Sequence, residues 1–344
     1  MSGLVLVGIL SSCSSIRMVE MQTLMPAAIT FPESVEKVMI IDNTVQQPDS
    51  VGHLYINKAG ESKMIKLPSD SLCYDFYQAL AGALAESPVF EDVLICLDTI
   101  RRDSRYYVAE PFNKYEIRHL CEKYNVDALI SIDKFVCNTV YYDDNRFNSL
   151  MGDNIMAIIH IELKALWNNQ EKPSDVTQTD TLRWDYDFEF VLDDDSPQYL
   201  LENLKYATHL LADYMGDKAR KWFVPYWIDS KRYYYTSPMS AWKRASVYAS
   251  AEKWSEAAEE WNAILQKTTK WEQKAKLLSN LAVCSEMTGD IGGAVSLAEQ
   301  SYELFKSNVG EDNEHTVLQK KLFDLLQTRL KNDETISQQF HENN

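Results

Sequence analysis

Apolar residues in the first two thirds of the chain follow two periods, which predict an alternation of strands and helices. Leu72, Phe76, Leu80 and Leu84 recur at a spacing of four and predict a helix. Short β-rich runs that end at turn-forming residues predict strands, and strict alternation over residues 181–192 predicts a strand with one buried face. The predicted strands cover residues 35–42, 53–57, 62–67, 93–98, 126–136, 155–167 and 181–192, with a polar loop at 168–180.

Polar residues mark where three helices of this region begin. Ser69, Asp70 and Ser71 are the candidate N-caps of the first helix. Asn113 with Glu116 three residues later matches a capping box for the second, and Pro197 opens a long third helix that runs to about residue 222. The order strand–helix–strand–helix–strand, followed by antiparallel strands and a helix, predicts an α/β sandwich with a mixed sheet.

Residues 35–220 resemble the α/β domain of periplasmic lipoproteins such as the curli secretion lipoprotein and the activators of penicillin-binding proteins. Two stretches carry the resemblance, LCYDFYQALAGALAESPVFEDVLIC and IRHLCEKYNVDALISIDKF. The second has the form that is typical of these proteins, which is a helix, a small turn with Asp and then a strand. The match lies in the pattern of elements and includes no invariant chemical motif.

Small and aromatic residues repeat in the helical C-terminal third, which resembles a tetratricopeptide array. One copy places Ala257 between Trp254 and Trp261, and the next places Ala294 after the turn Gly289-Asp290, a spacing of 37 residues against the usual 34 or so. Small residues let paired helices approach, and aromatic residues fill the gaps. A third helix at about 314–330 is expected to cap the stack. The alternative is a plain helical bundle.

The first residues resemble a bacterial lipoprotein signal. The apolar run LVLVGIL at residues 4–10 is too short to span a membrane, and Leu10-Ser11-Ser12-Cys13 follows it like a lipobox. The resemblance implies that Cys13 is diacylated and becomes the mature N-terminus. No Lys or Arg precedes the run, so we expect the true translation start to lie upstream. The alternative is a buried N-terminal strand with a structural cysteine.

Residues after Cys13 predict where the anchored protein resides. Ser14 does not resemble an inner-membrane retention signal, and no acidic cluster follows closely. We therefore expect an outer-membrane lipoprotein that faces the periplasm, similar in layout to uncharacterised Bacteroides-type lipoproteins. The predicted organisation is a signal peptide at 1–12, an anchor linker at 13–34, the α/β domain at 35–235, the all-α tetratricopeptide-like domain at 236–331 and a flexible tail at 332–344.

Charge and cysteine content exclude several classes of partner. The 344 residues carry 51 acidic and 34 basic side chains, a net charge of −17. This argues against nucleic acid, which requires Lys and Arg contacts, and against electrostatic docking on anionic lipid. We therefore expect membrane contact only through the lipid anchor. Beside Cys13 the chain has five cysteines without a CxxC spacing, which argues against a zinc site and selects no disulfide pair.

Motifs for known chemistry are missing from the sequence. It contains no GxSxG, HExxH, GxGxxG or GxxxxGK pattern. Its six histidines are scattered, and the acidic runs 143–144 and 193–195 lack the alternating ligands and Gly turn of a calcium loop. We predict no catalytic residue, no metal site and no cofactor, and we do not expect an enzyme.

A basic stretch rich in aromatic residues, 217–244, contrasts with an acidic segment at 171–195. Arginine beside aromatic residues is a common composition of binding surfaces, and the alternative is a packed junction between the two domains. The residues predicted to contact a partner are Trp242, Ser246, Asn280, Arg232 and Tyr234. The predicted function is a lipid-anchored scaffold or assembly protein that binds a protein or peptide partner through its helical repeats. The alternatives are a glycan- or peptidoglycan-binding lipoprotein and, less favoured, an enzyme.

Overall fold

A computed structural model describes residues 16–57, 59–67, 71–98, 100–101, 104–105, 111–142, 153–170, 172–185 and 197–340. Contacts between residues divide it into two compact units. We call residues 26–226 with 338–344 the α/β unit, and residues 1–25 with 227–337 the helical unit. The sequence analysis placed the division at 235/236, and that domain assignment stays a prediction.

The α/β unit contains seven strands and three helices among its described residues. In chain order these are β2 Lys37–Asp42, β3 His53–Ile56, β4 Ser62–Met64, α1 Leu72–Ala85, β5 Asp92–Ile95, α2 Lys114–Tyr124, β6 Ala128–Tyr142, β7 Asp153–Trp167, β8 Ser174–Asp185 and α3 Pro197–Ala219, which a short 3-10 turn at Arg220–Trp222 follows.

Strand β6 is the central strand of the mixed sheet, because it pairs with β2, β3 and β7. Its whole length pairs antiparallel with β7, which in turn pairs antiparallel with β8. On its other edge β6 pairs in parallel with β2 over residues 128–132 and with β3 over residues 139–142. Strand β5 extends the sheet beyond β2, and β4 extends it beyond β3. Within the described residues, no strand pairs with residues 133–138 of β6 on that side, between the two parallel partners.

Helices cover both faces of this sheet, as the alternation of apolar side chains requires. Helices α1 and α3 pack on the face that carries Ile40 and Ile130, and α2 packs on the face that carries Met39 and Leu129. Helix α3 approaches α1 closely at Gly216, where a Cβ atom would lie 2.2 Å from the Phe76 carbonyl oxygen. These layers form the main core of the unit.

The helical unit combines a two-stranded sheet with five helices. Its elements are β1 Ile16–Met25, β9 Tyr226–Tyr235, α4 Ser240–Ser250, α5 Trp254–Leu265, α6 Trp271–Met287, α7 Ile291–Val309 and α8 Glu314–Gln339. Strand β1 pairs with β9. Helix α6 is buried on nearly all sides, and the small residues Ala257, Ala282, Ala294 and Ala298 are fully buried where neighbouring helices meet. The short connections make α4–α5 and α6–α7 helix pairs.

The predicted class, a mixed-sheet α/β part followed by a run of helices, is confirmed. The capping box is also confirmed, because Asn113 accepts hydrogen bonds from the Tyr115 and Glu116 amides while the Glu116 side chain accepts one from the Asn113 amide. The predicted N-caps Ser69 and Asp70 lie outside the described residues, and Ser71 occupies the N-cap position without a side-chain capping bond. The tetratricopeptide resemblance itself stays a prediction.

Three element boundaries differ from the sequence analysis. Residues 16–25, expected in an anchor linker, form β1, whose Thr23 is buried. Strand β8 begins at Ser174 instead of residue 181, because polar residues of the expected loop occupy its exposed face while Val176 packs against the core. Helix α8 continues to Gln339, where a flexible tail was expected, because Ile336 is buried and Gln339 hydrogen-bonds to the backbone of Ala27.

Two further findings concern the thiols and the helices. Cys73, Cys96, Cys121, Cys137 and Cys284 are all free. Within the described part of the chain, every helix is too short or too polar to cross a membrane. Cys13 and the predicted signal peptide lie outside the described residues.

Candidate functional site

A cavity of about 380 Å³ opens in the α/β unit beside the unpaired edge of β6. The chain leaves the sheet at Asp42, at the carboxyl end of β2, and returns in β3 after an excursion over residues 43–52. In open α/β sheets ligands bind in crevices beyond the carboxyl ends of the strands. The residues that line this space, which we call the Asp42 cavity, are Asp42, Thr44, Gln46, Gln47, Ser71, Leu72, Cys73, Tyr74, Tyr77, Phe135 and Cys137.

Side chains replace the missing strand at the floor of the cavity. The Gln47 side chain accepts a hydrogen bond from the Cys137 amide at 2.8 Å and donates one to the Cys137 carbonyl at 2.9 Å. Asn43 donates to the buried carboxylate of Asp133 at 3.0 Å, and Ser131 donates to the same oxygen at 2.5 Å. The side chains of the excursion therefore satisfy buried polar groups that a strand would otherwise pair.

Gly52 lets the excursion close back onto β6. Its φ is +83°, and a Cβ atom there would lie 2.0 Å from the side-chain oxygen of Asn138. Both the left-handed backbone and the close approach require glycine. The turn sets where β3 begins. It therefore also sets the length of the stretch of β6, between its pairing with β2 and its pairing with β3, beside which the cavity lies.

The first turn of α1 supplies the opposite wall. Ser71 has a φ of 72°, an uncommon conformation for a residue with a side chain. Cys73 follows two residues later, and its thiol hydrogen-bonds to Asp42 and Thr44. Tyr74 is 45% exposed, and its ring meets the Tyr77 ring edge-on at 5.1 Å between centroids. Helical spacing places Cys73, Tyr74 and Tyr77 toward the same space.

Two titratable groups of the cavity, the Cys73 thiol and the Tyr77 hydroxyl, are held protonated. Burial raises the pKa of the Cys73 thiol well above its usual range, and the neighbouring Asp42 carboxylate raises it further. Burial also raises the pKa of Tyr77 to about 12, with smaller contributions from Cys73 and Asp42. A thiol acts as a nucleophile only as the thiolate. Cys73 and Tyr77 can therefore form hydrogen bonds as neutral groups at neutral pH.

The five residues predicted to contact a partner lie in the interior of the helical unit. Arg232 donates from Nε and Nη2 to the two carboxylate oxygens of Glu286, each at 2.7 Å, and Tyr234 hydrogen-bonds to Ser250 at 3.0 Å. The Asn280 side chain accepts from the Tyr235 amide at 2.7 Å and donates to its carbonyl at 2.8 Å.

Trp242 and Ser246 are also buried, at 2% and 6% exposure. Trp242 belongs to the apolar core of the helical unit. The side chains of all five residues face the interior of the helical unit, and their assignment as partner contacts stays a prediction. Arginine beside aromatic residues is found both in packed cores and on binding surfaces, so composition alone does not distinguish the two locations.

The sequence analysis named none of the residues of the Asp42 cavity as functional. A signal was present, because Asp42 ends a predicted strand in an α/β pattern, where ligand sites concentrate. Among the described residues there is no group of His, Cys, Asp or Glu that could hold a metal ion.

Comparison with known proteins assigns the chain to a family. A family model described as a domain of unknown function (DUF8603) matches residues 35–235, more than half of the chain. The chain belongs to this family. A second model, also described as a domain of unknown function (DUF6340), matches residues 243–328. No curated protein matches the sequence. The cavity therefore lies within the region that DUF8603 covers.

Two solved structures are similar to part of the chain. One is described as an uncharacterised protein, with 9% identity and a TM-score of 0.26, and the match covers 54% of this chain and 92% of that one. The other is a minor lipoprotein from Acinetobacter baumannii, with 8% identity and a TM-score of 0.22, covering 54% of this chain and 95% of that one. TM-scores this low do not establish a common fold.

Proposed function

We propose that this DUF8603 protein is a lipid-anchored protein of the bacterial envelope that acts by binding, and that the Asp42 cavity is its binding site. The observation that carries the proposal is a cavity of about 380 Å³ lined by a carboxylate, hydroxyls, amides and aromatic rings. Ligand sites are typically concave and combine apolar walls with a few convergent polar groups. The protonated Cys73 and Tyr77 favour binding over nucleophilic catalysis.

The anchor is proposed at Cys13, in the motif Leu10-Ser11-Ser12-Cys13. Strand β1 begins at Ile16, so two residues separate the proposed lipid from the first described strand of the helical unit. Two acyl chains on one cysteine supply the stable attachment that a single chain does not. The same motif, with Ser14 after the cysteine, supports the outer membrane and its periplasmic face as the location.

Mass spectrometry of the mature N-terminus tests the anchor. The expected species begins at a diacylated Cys13, and Cys13→Ser should remain unlipidated and leave the membrane fraction. Cys73→Ser is the matched control, since Cys73 is a free cysteine of the folded α/β unit, and it should stay in the membrane fraction. Recovery of an unmodified Cys13 with residues 1–12 still attached would refute the anchor.

Protein-observed NMR tests the binding site with three small probes, N-acetylglucosamine, butylamine and butyrate. We expect at least one probe to shift amides of residues 42–47 and of the first turn of α1 in a saturable manner. Amides of α2, on the opposite face of the sheet, should not shift and serve as the internal control. If none of the three probes shifts the cavity amides at millimolar concentration, the proposed binding role is wrong.

A protein scaffold is the second candidate function, and one observation favours it. Met239, at the start of α4, is 44% exposed, and Val247, eight residues later on the same face, is 67% exposed. Cross-linking in envelopes tests this surface with Val247→Glu, and Val309→Glu is the control because Val309 is an exposed valine of α7. A cross-linked partner that is lost only in Val247→Glu supports a scaffold, and equal cross-linking by both variants contradicts it.

A further inference from the structure

We infer that the Asp42 cavity takes an uncharged, hydroxyl-rich ligand of the size of one monosaccharide ring. The inference rests on the proposed binding function and names the chemical class of the ligand. It follows from the size of the cavity, from the two electrostatic features that border it, and from the neutral groups that line it.

The cavity volume limits the ligand to a small molecule. About 380 Å³ lies near the lower end of the range of ligand pockets, which is about 300–1,000 Å³. One sugar ring with its substituents suits that space, whereas a longer oligosaccharide would have to extend into solvent. Tyr74, one of the lining residues, is 45% exposed.

The Asp42 carboxylate disfavours an anionic ligand. Asp42 is the charged side chain in the lining, and no Lys or Arg belongs to the described lining residues. A carboxylate or phosphate would lie beside the Asp42 carboxylate without a cation to pair with it, and an unpaired buried charge is costly. The pKa directions of Cys73 and Tyr77 agree, because the Asp42 carboxylate contributes to raising both.

The orientation of α1 disfavours a cationic ligand. Ser71, Leu72 and Cys73 form the N-terminal end of this 14-residue helix, and all three line the cavity. The N-terminus of a helix carries a partial positive charge, which stabilises anions and repels cations within its first turn. The partial positive charge offsets part of the negative charge of Asp42. An ammonium group would therefore be attracted to Asp42 less strongly than to a carboxylate with no helix N-terminus beside it.

Neutral hydrogen-bonding groups match a polyhydroxyl ligand. Thr44, Ser71 and Tyr77 contribute hydroxyls that both donate and accept, and Gln46 contributes an amide. Asp42 accepts from the Thr44 amide at 2.9 Å and from the Cys73 thiol, and a carboxylate has about four acceptor positions. Within the described contacts, Asp42 therefore keeps acceptor capacity for two neighbouring hydroxyls of a ring.

Aromatic faces complete the match. The rings of Tyr74, Tyr77 and Phe135 provide flat apolar surfaces beside these polar groups. One face of a sugar ring carries C–H groups that pack on such surfaces, while its edge carries the hydroxyls. The cavity lining contains both aromatic rings and polar groups, so a single sugar ring could contact both kinds of group.

Isothermal titration with sugars of one ring type and different charge tests the class. The probes are N-acetylglucosamine and glucose as neutral forms, glucosamine as the ammonium form and glucuronate as the carboxylate form. We expect a neutral form to bind at least about tenfold more tightly than either charged form. Stronger binding of glucosamine or glucuronate would overturn the ligand class but keep the binding function. Binding of none of the four at millimolar concentration would overturn the class, and absence of any cavity shift with the NMR probes would overturn the function itself.

Two pairs of variants locate the binding. Asp42→Asn should weaken the neutral sugar about tenfold or more, the size expected for hydrogen bonds to a charged group, while Asp92→Asn, on exposed β5 surface, should not. Tyr77→Phe keeps the ring and should weaken binding less, with the exposed Tyr115→Phe as its control. Thermal melting verifies that each variant folds. If sugar affinity is unchanged in folded Asp42→Asn and in Tyr77→Phe, the sugar does not bind in this cavity and the inference is wrong.

Discussion

The buried ion-pair cluster of the helical unit allows a quantitative test of what stabilises that unit. Glu286, on α6, has no exposed side-chain surface, and Arg232 on β9 is 3% exposed. Three hydrogen bonds of 2.6–2.7 Å join Glu286 to Arg232 and to Arg329 of α8. The substitution Glu286→Gln keeps the shape of the side chain but removes the carboxylate that both guanidinium groups contact.

The expected cost is large on the scale of protein stability. Removing one partner of a buried ion pair destabilises by about 3–5 kcal/mol, because the remaining charge is buried and uncompensated. A whole protein is stable by about 5–15 kcal/mol. Glu260→Gln is the matched control, because Glu260 pairs with Arg244 on the surface, where the Arg244 side chain is 60% exposed. Surface pairs contribute about 0–1 kcal/mol.

Hydrogen exchange of the α6 amides measures this stability in the helical unit alone. A loss of about 3–5 kcal/mol accelerates the slowest α6 amides by roughly 10²-fold to a few times 10³-fold, at about 1.4 kcal/mol per factor of ten. The Glu260→Gln protein should stay within about fivefold of the wild type. Equal exchange rates in the two variants would refute the reasoning that Glu286 is the group that neutralises the buried arginines.

Two further predictions concern the α/β unit. Gln47→Leu leaves the Cys137 amide and carbonyl buried without the Gln47 side chain, so it should lower the free energy of unfolding by about 2–5 kcal/mol. The control Gln178→Leu on β8 should change the free energy of unfolding by less than about 0.5 kcal/mol. Urea unfolding measures both variants, and equal midpoints would contradict the proposed role of Gln47. Burial lowers the pKa of His53 to about 4, against the opposing effect of Asp49, so the native state resists protonation and stability should fall by about 3 kcal/mol as pH decreases from 6.5 to 4. His53→Gln should flatten that slope, and an unchanged slope would show that other groups govern it.

Local sequence signals predicted the elements that depend on local interactions. The spacing of Leu72, Phe76, Leu80 and Leu84 identified the buried face of α1, and all four are buried. Asn113 and Glu116 marked the start of α2 because a capping box requires only four consecutive residues of chain. The strong period of two over residues 182–185 identified part of β8. Its polar beginning at Ser174 was not predicted, because that portion pairs with β7 through backbone groups, which the pattern of side chains does not show.

Long-range pairing produced the features that the sequence did not reveal. The Asp42 cavity exists because β2 and β3 share one edge of β6, and Gln47 reaches Cys137 across 90 residues of chain. No local sequence pattern predicts the interval on β6 between its two parallel partner strands. Asn280 likewise looked like a polar residue on a helix surface, but its amide pairs with the Tyr235 backbone as a neighbouring strand would. The burial of the predicted partner contacts of the helical unit could not be predicted from the sequence for this reason.

Filling the cavity tests the central claim most directly. Thr44 lies partly buried in the lining, and Thr44→Trp would place an indole in the space that the ligand is proposed to occupy. Thr177→Trp adds the same side chain on the exposed face of β8 and serves as the control. Titration with N-acetylglucosamine and glucose should show at least tenfold weaker binding in folded Thr44→Trp and wild-type affinity in Thr177→Trp. Undiminished affinity in Thr44→Trp would contradict the assignment of the Asp42 cavity as the binding site.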